Sequence, residues 1–102
     1  MKKTLNKIEI LEKKNNGTYY WINDDWFPVR KKSGYFIAIR GYKGYLWKNE
    51  YAGVWRDPKT SMVYLDAVVW IKNENDAIKL AKAKKQLAIW DIRNRKEIWI
   101  NQ

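Results

Sequence analysis

Met62-Val63-Tyr64-Leu65-Asp66-Ala67-Val68-Val69-Trp70-Ile71 runs through Lys72 straight into Asn73-Glu74-Asn75-Asp76-Ala77-Ile78-Lys79-Leu80-Ala81-Lys82-Ala83-Lys84-Lys85-Gln86, and this junction sets the fold class. In its first part Val63, Leu65 and Ala67 alternate with Met62, Tyr64 and Asp66, the period of a strand. The unbroken run Val68-Val69-Trp70-Ile71 predicts burial on both faces. In the second part the period changes to that of a helix, over about 74–86. Asn73 or Asn75 can cap it, Glu74 and Asp76 suit its first turn, and Lys82, Lys84 and Lys85 suit its last. Ala77, Ile78, Leu80 and Ala81, with Ala83 at the margin, supply its buried side.

Outward from this junction every other segment reads as strand or turn. Val54-Trp55-Arg56 leads through the turn Asp57-Pro58-Lys59-Thr60-Ser61 into the long strand. Downstream, 87–92 and 97–100 form a strand pair around Arg93-Asn94-Arg95-Lys96. Upstream, strands are expected at 8–12, 18–22 and 26–30, with Pro28 confining the last to an edge. Tyr35-Phe36-Ile37-Ala38-Ile39-Arg40 is the clearest strand of all. Its alternation places Phe36, Ala38 and Arg40 on one face and Tyr35, Ile37 and Ile39 on the other. The expected fold is α+β: a mainly antiparallel sheet with one helix across a face, an N-terminal β-meander followed by β-β-α-β-β. One domain is expected across residues 1–102.

Charge is unevenly spread. Of the formal +10, residues 1–25 carry +1 and residues 50–102 carry +3, so +6 falls on residues 26–49. All six charged side chains there are positive: Arg30, Lys31, Lys32, Arg40, Lys43 and Lys48. Seven aromatics share the stretch, namely Trp26, Phe27, Tyr35, Phe36, Tyr42, Tyr45 and Trp47. Cations interleaved with flat rings suit a phosphate backbone whose bases are free to stack. Within it, Gly41-Tyr42-Lys43-Gly44-Tyr45 lacks the spacing and the Gly-Lys-Ser/Thr ending of a P-loop. Its paired glycines would let backbone approach a ligand closely. The candidate binding residues are therefore Arg30, Lys31, Lys32, Arg40, Tyr42, Lys43, Tyr45 and Lys48. In the competing reading Trp26, Phe36 and Trp47 are core and the cations are solvated, as are the helix lysines Lys79, Lys82 and Lys85.

The chain has no Cys and no His, which removes disulfides, thiolate zinc sites, Cys nucleophiles and imidazole acid–base chemistry. A metal-dependent nuclease needs converging carboxylates, and only Asp66 with Asp91 offers such a pairing, if their strands are neighbours. The expectation is a non-enzymatic protein without metal or cofactor. Met1-Lys2-Lys3 begins like a signal sequence, but Ile8-Glu9-Ile10-Leu11-Glu12 is too short and charged to continue one. No run approaches the length of a membrane span, and a cytoplasmic protein is expected.

Gly53-Val54-Trp55-x-Asp57-Pro58-x-Thr60, Val63-Tyr64-Leu65-Asp66, the helix with Ala77, Leu80 and Ala81, and Gln86-Leu87-Ala88-Ile89-Trp90-Asp91 together resemble small uncharacterised proteins carried by phages and other mobile elements. The resemblance covers about forty residues and leaves out the basic first half. It implies a source class and assigns no functional residue. Two functions are expected from the whole reading, beside the plainer one of a structural component of a particle whose basic charge faces packaged nucleic acid or a neighbouring subunit. The first is binding of single-stranded nucleic acid, RNA before DNA, either free or as the exposed strand of a ribonucleoprotein. The alternative is a protein-binding inhibitor of a host defence complex, anti-CRISPR-like or anti-restriction, docking through its aromatic surface.

Overall fold

The computed structural model describes residues 17–22, 25–57 and 59–100. Its elements in chain order are β1 (Gly17–Ile22), β2 (Asp25–Pro28), β3 (Tyr35–Gly41), β4 (Tyr51–Arg56), β5 (Val63–Ile71), α1 (Glu74–Ala83), β6 (Ala88–Asp91) and β7 (Lys96–Trp99). The strands form one seven-stranded sheet in the order β2-β1-β4-β5-β3-β6-β7, and all its neighbouring pairs are antiparallel. This is an α+β fold with the β-β-α-β-β second half that the sequence predicts. The strand expected at 8–12 lies outside the described residues.

The expected N-terminal meander ends at the β1-β2 hairpin. Strand β3 leaves it and inserts between β5 and β6. The reason lies in composition: Ile37 is fully buried and Phe36, Ala38 and Ile39 are half-buried, so β3 needs cover on both faces. Strand β2, with Asp25 and Pro28, suits the edge it occupies. Because β3 pairs antiparallel with both β5 and β6, those two run parallel, and α1 is the crossover between them.

That crossover covers one half of one face. The fully buried small residues Ala77 and Ala81 let α1 lie close on Ile37 and Ile89, with Val69, Ile71 and Ile98 around them. On the same face, the second core cluster joins Tyr19, Trp26, Ala52 and Val54, and the chain segment holding Tyr42 and Leu46 packs over it. Among the described residues the opposite face carries no helix. It carries Tyr64, Asp66, Val68 and Trp70 of β5, aligned with Trp55, Gly53 and Tyr51 of β4 and with Phe36 and Ala38 of β3.

Helix α1 starts where expected, with Asn73 Oδ1 accepting the Asp76 N–H at 3.2 Å. It stops three residues before the predicted end at 86. Lys84 is the C-cap, Lys85 turns left-handed (φ 56), and the Lys85 and Gln86 N–H groups return to Lys82 O and Ala81 O. This is a Schellman close built on lysine where glycine is usual, so the sequence gives no stop signal.

Buried Asp91 closes the β6-β7 turn. Its carboxylate accepts Asn94 Nδ2–H at 2.8 Å and the Asn94 backbone N–H at 3.3 Å. Those bonds, the side-chain one foremost, hold its pKa below the ordinary carboxylate value. A depressed acid stabilises the fold above its unfolded pKa, and that contribution disappears as pH falls through the folded pKa. Acid unfolding of the wild type should therefore steepen below the usual carboxylate range. Asp91→Asn should flatten that limb in urea titrations run from neutral to acid pH, and an unchanged limb would remove Asp91 from the account.

Candidate nucleic-acid interface

Strand β3 ends by turning onto the helix side. A register shift between Ala38 and Arg40 inserts Ile39 as a bulge, and Arg40 pairs with Ala67 where an unbroken register would have set it opposite Asp66. Arg40 therefore shares the face of Ile37, not that of Phe36 and Ala38 as simple alternation predicts. The bulge re-aims one guanidinium, and the loop at 42–50 is built on it.

Arg40 Nη2 bonds Glu50 Oε1, and the same oxygen accepts the Trp47 backbone N–H at 2.8 Å. The Arg40 guanidinium also lies over the Tyr45 ring, 4.6 Å from its centroid. Arg40 Nη1 is buried without a hydrogen bond. The first acid after the basic stretch thus neutralises its central arginine. Arg40 holds the loop in place and is not free to meet a phosphate.

The loop crosses the end of β5, where the Tyr42 N–H donates to Leu65 O at 2.9 Å. Tyr42 is half-buried and meets Trp26 edge-on at 6.5 Å, and burial pushes its hydroxyl pKa up. It belongs to the core and is not the stacking residue that the sequence suggests. Gly44 (φ 91) and Asn49 (φ 67) take the two left-handed turns.

Between those turns the loop displays Tyr45, 39% exposed, and Trp47, 66% exposed, in edge-to-face contact with centroids 5.7 Å apart. Lys43 and Lys48 flank them, both exposed. An open groove of about 430 Å³ runs beside the pair, lined by Tyr42, Tyr45, Leu46, Trp47, Lys48 and Glu50 among others. Two accessible rings with ammonium groups on either side can sandwich or stack flat, polar heterocycles and hold their attached anions.

Arg30, Lys31 and Lys32 lie elsewhere. Strands β2 and β3 are four positions apart in the sheet, about 19 Å at the usual strand spacing. Residues 29–34 span that gap, bending at 32–34, and come down on the helix-free face. There the Lys31 ammonium sits 4.3 Å from the Trp70 ring centroid, and Trp70 Nε1–H donates to Ser33 O at 2.9 Å. The eight candidates therefore form two groups. Arg40, Tyr42, Lys43, Tyr45 and Lys48 build the loop on the helix side, and Arg30, Lys31 and Lys32, all exposed, cross the other face.

Sequence reading alone missed several residues. Trp47, core in the competing reading and not named among the binding candidates, proves the most exposed ring of the loop. The helix-free face adds the exposed Trp55 and Tyr64, tilted together at 5.4 Å, with Trp90 and Trp99 further along the sheet. Strand alternation was the available signal, since Trp99 lies between the inward Ile98 and Ile100. Asp66 and Asp91 do not meet: β3 separates their strands, and Asp91 faces the helix side with Tyr35 while Asp66 faces away. Among the described residues no three His, Cys, Asp or Glu side chains gather into a metal-holding group, and no helix is long and apolar enough to cross a membrane. Comparison with protein-family models, with curated proteins and with solved structures finds no match to this chain.

Proposed function

We propose that the protein binds single-stranded nucleic acid, RNA foremost, whether free or exposed on a ribonucleoprotein, and does so without catalysis. The observation that carries this reading is the loop at 42–50, where Tyr45 and Trp47 stand exposed between Lys43 and Lys48 on a base pinned by Arg40 and Glu50. Stacking on such rings tolerates any base, because every base has a π-face, and the lysines supply the phosphate attraction. A chain with formal charge +10 draws a polyanion from a distance as well.

The salt dependence of binding tests the reading and locates it. For a single strand, log K falls against log salt by about 0.7 per phosphate neutralised. Contact through Lys43 and Lys48 alone gives a slope of about −1.4. A strand that wraps round to Arg30, Lys31 and Lys32 as well gives about −3.5. Anisotropy titrations of labelled single-stranded RNA, single-stranded DNA and duplex DNA across a salt series distinguish these values. A slope near zero, or preference for the duplex, ends the proposal.

A second reading, docking on a protein of a host defence complex, is favoured by Trp55, Tyr64, Trp90 and Trp99 on the helix-free face, since exposed Trp and Tyr are the usual anchors of protein interfaces. Loss of host-protein capture on truncating those rings, with Lys43 and Lys48 replaceable, would favour it.

A further inference from the structure

Asp66 occupies an unusual position on the helix-free face. Its cross-strand neighbours on both sides are glycines, Gly53 on β4 and Gly41 on β3. Facing side chains ordinarily fill the space around one another across strands. Here Val68 leans over Gly53, where a Cβ would meet Val68 Cγ2 at 2.5 Å, while a Cβ on Gly41 would meet nothing within 4 Å. The carboxylate thus lies in a recess that is open toward Gly41. Tyr64, two residues along the same strand, and its cross-strand partner Trp55 wall it with a pair of exposed rings.

Asp66 is half-buried, and no described residue gives it a hydrogen bond or an ion pair. Burial alone pushes its pKa up. A carboxylate drawn partly out of water with no donor is a net cost to the fold. A ligand that fits must therefore bring N–H donors to the carboxylate and a flat face to the rings.

We infer that Asp66, Trp55 and Tyr64 form a guanine-selecting subsite. An ionised carboxylate only accepts, and it accepts best from two parallel N–H groups. Guanine alone among the common bases offers that pair, N1–H and N2–H, on its Watson–Crick edge. Uracil presents one N–H between two carbonyls that repel the carboxylate, and adenine and cytosine present an amino group beside a ring-nitrogen lone pair. Single-strand recognition regularly combines ring stacking with bonds to this edge. A lysine or arginine side chain would also satisfy the carboxylate, but a protein of formal charge +10 repels a cationic partner and attracts a phosphate-bearing one. Gly41 is where the loop of Tyr45 and Trp47 departs, so one strand passing round this end of β3 meets both surfaces.

The inference rests on the single-strand reading, and its test separates the two. Anisotropy titrations compare an all-uridine RNA, the same RNA with one central guanine, and its counterpart with inosine, which lacks the N2 amino group. Each is read with the wild type, Asp66→Asn and Trp55→Ala. Guanine should tighten wild-type binding about tenfold, as for a good two-bond base contact, and inosine should lose most of that gain. Asp66→Asn should abolish the preference for guanine over inosine and uridine without weakening all-uridine binding, because it removes a negative charge that repels phosphates and carbonyls, and since that charge is desolvated its thermal midpoint should not fall. Equal wild-type affinity for guanine and uridine RNAs would overturn the subsite and leave the reading intact. Failure to bind any RNA would overturn both. Asp66-dependent binding of an arginine-rich peptide, with no guanine preference, would assign the recess to a cationic side chain instead.

Discussion

Gly34→Ala is expected to destabilise the protein by about 3 kcal/mol, from a positive-φ cost of about 1–2 and an overpacking cost of about 1–3. Gly34 is buried at φ 91, a backbone region that L side chains avoid. A Cβ there would stand 2.3 Å from Trp70 Nε1 and 2.6 Å from Trp70 Cε2. The indole cannot easily yield. Its N–H is bound to Ser33 O, Lys31 covers its face, and the Gly34 carbonyl accepts the Ile92 N–H at 3.1 Å. The point matters because residues 29–34 are the strap that carries three of the six basic residues across the sheet. Urea unfolding followed by Trp fluorescence measures the loss. Gly41→Ala serves as the control: its Cβ meets open space, and the change should stay within about 0.5 kcal/mol. Equal effects at the two glycines would mean that the packing of Trp70 has been misread.

The second large effect concerns function. Tyr45→Ala with Trp47→Ala should weaken single-stranded RNA binding by a hundredfold or more, because each stacked base is worth about 1–3 kcal/mol. Both rings are exposed and touch each other, and Tyr45 also carries the Arg40 guanidinium, so the unfolding midpoint should fall only slightly. Tyr42→Ala should behave in the opposite way. It opens a gap beside Trp26 and Leu46, costs stability, and affects binding only through the loop it supports. Arg40→Lys is informative in between: it keeps the charge but loses the flat cation over Tyr45. If a phosphate were the partner of Arg40, lysine would substitute well. A guanidinium held flat on Tyr45 while bonded to Glu50 predicts that it will not.

Much of this architecture is legible in the amino-acid order, because period-2 and period-3.6 patterns report local burial directly. The long strand, the helix start at Asn73 and the edge position of Pro28 follow from neighbouring residues alone. What escapes is what depends on partners remote in sequence. The insertion of β3 between β5 and β6 reflects its need for cover on both faces, and no short window names the strands that supply it. The bulge at Ile39 reverses the face of Arg40, and alternation cannot anticipate an extra residue. Helix α1 ends on a left-handed Lys85, where only a glycine would have signalled the stop. For the site, the segment rich in cations and rings is plain to see, but its division between two faces is not. Loop residues carry no periodicity, so Trp47 could not be told from core. The isolation of Asp66 arises from register alone, since Gly41 and Gly53 become its neighbours only when three strands align.

In the proposed complex Tyr45 and Trp47 receive the bases of a single strand. Ultraviolet crosslinking of the protein to single-stranded RNA, followed by mass-spectrometric mapping of the adducts, tests it most directly, because short-range photochemistry reports ring-to-base contact. Adducts are expected on peptides containing Tyr45 and Trp47, competed away by unlabelled single strand and diminished as salt rises. Adducts confined to other parts of the chain, or none under conditions where binding is saturated, would contradict it.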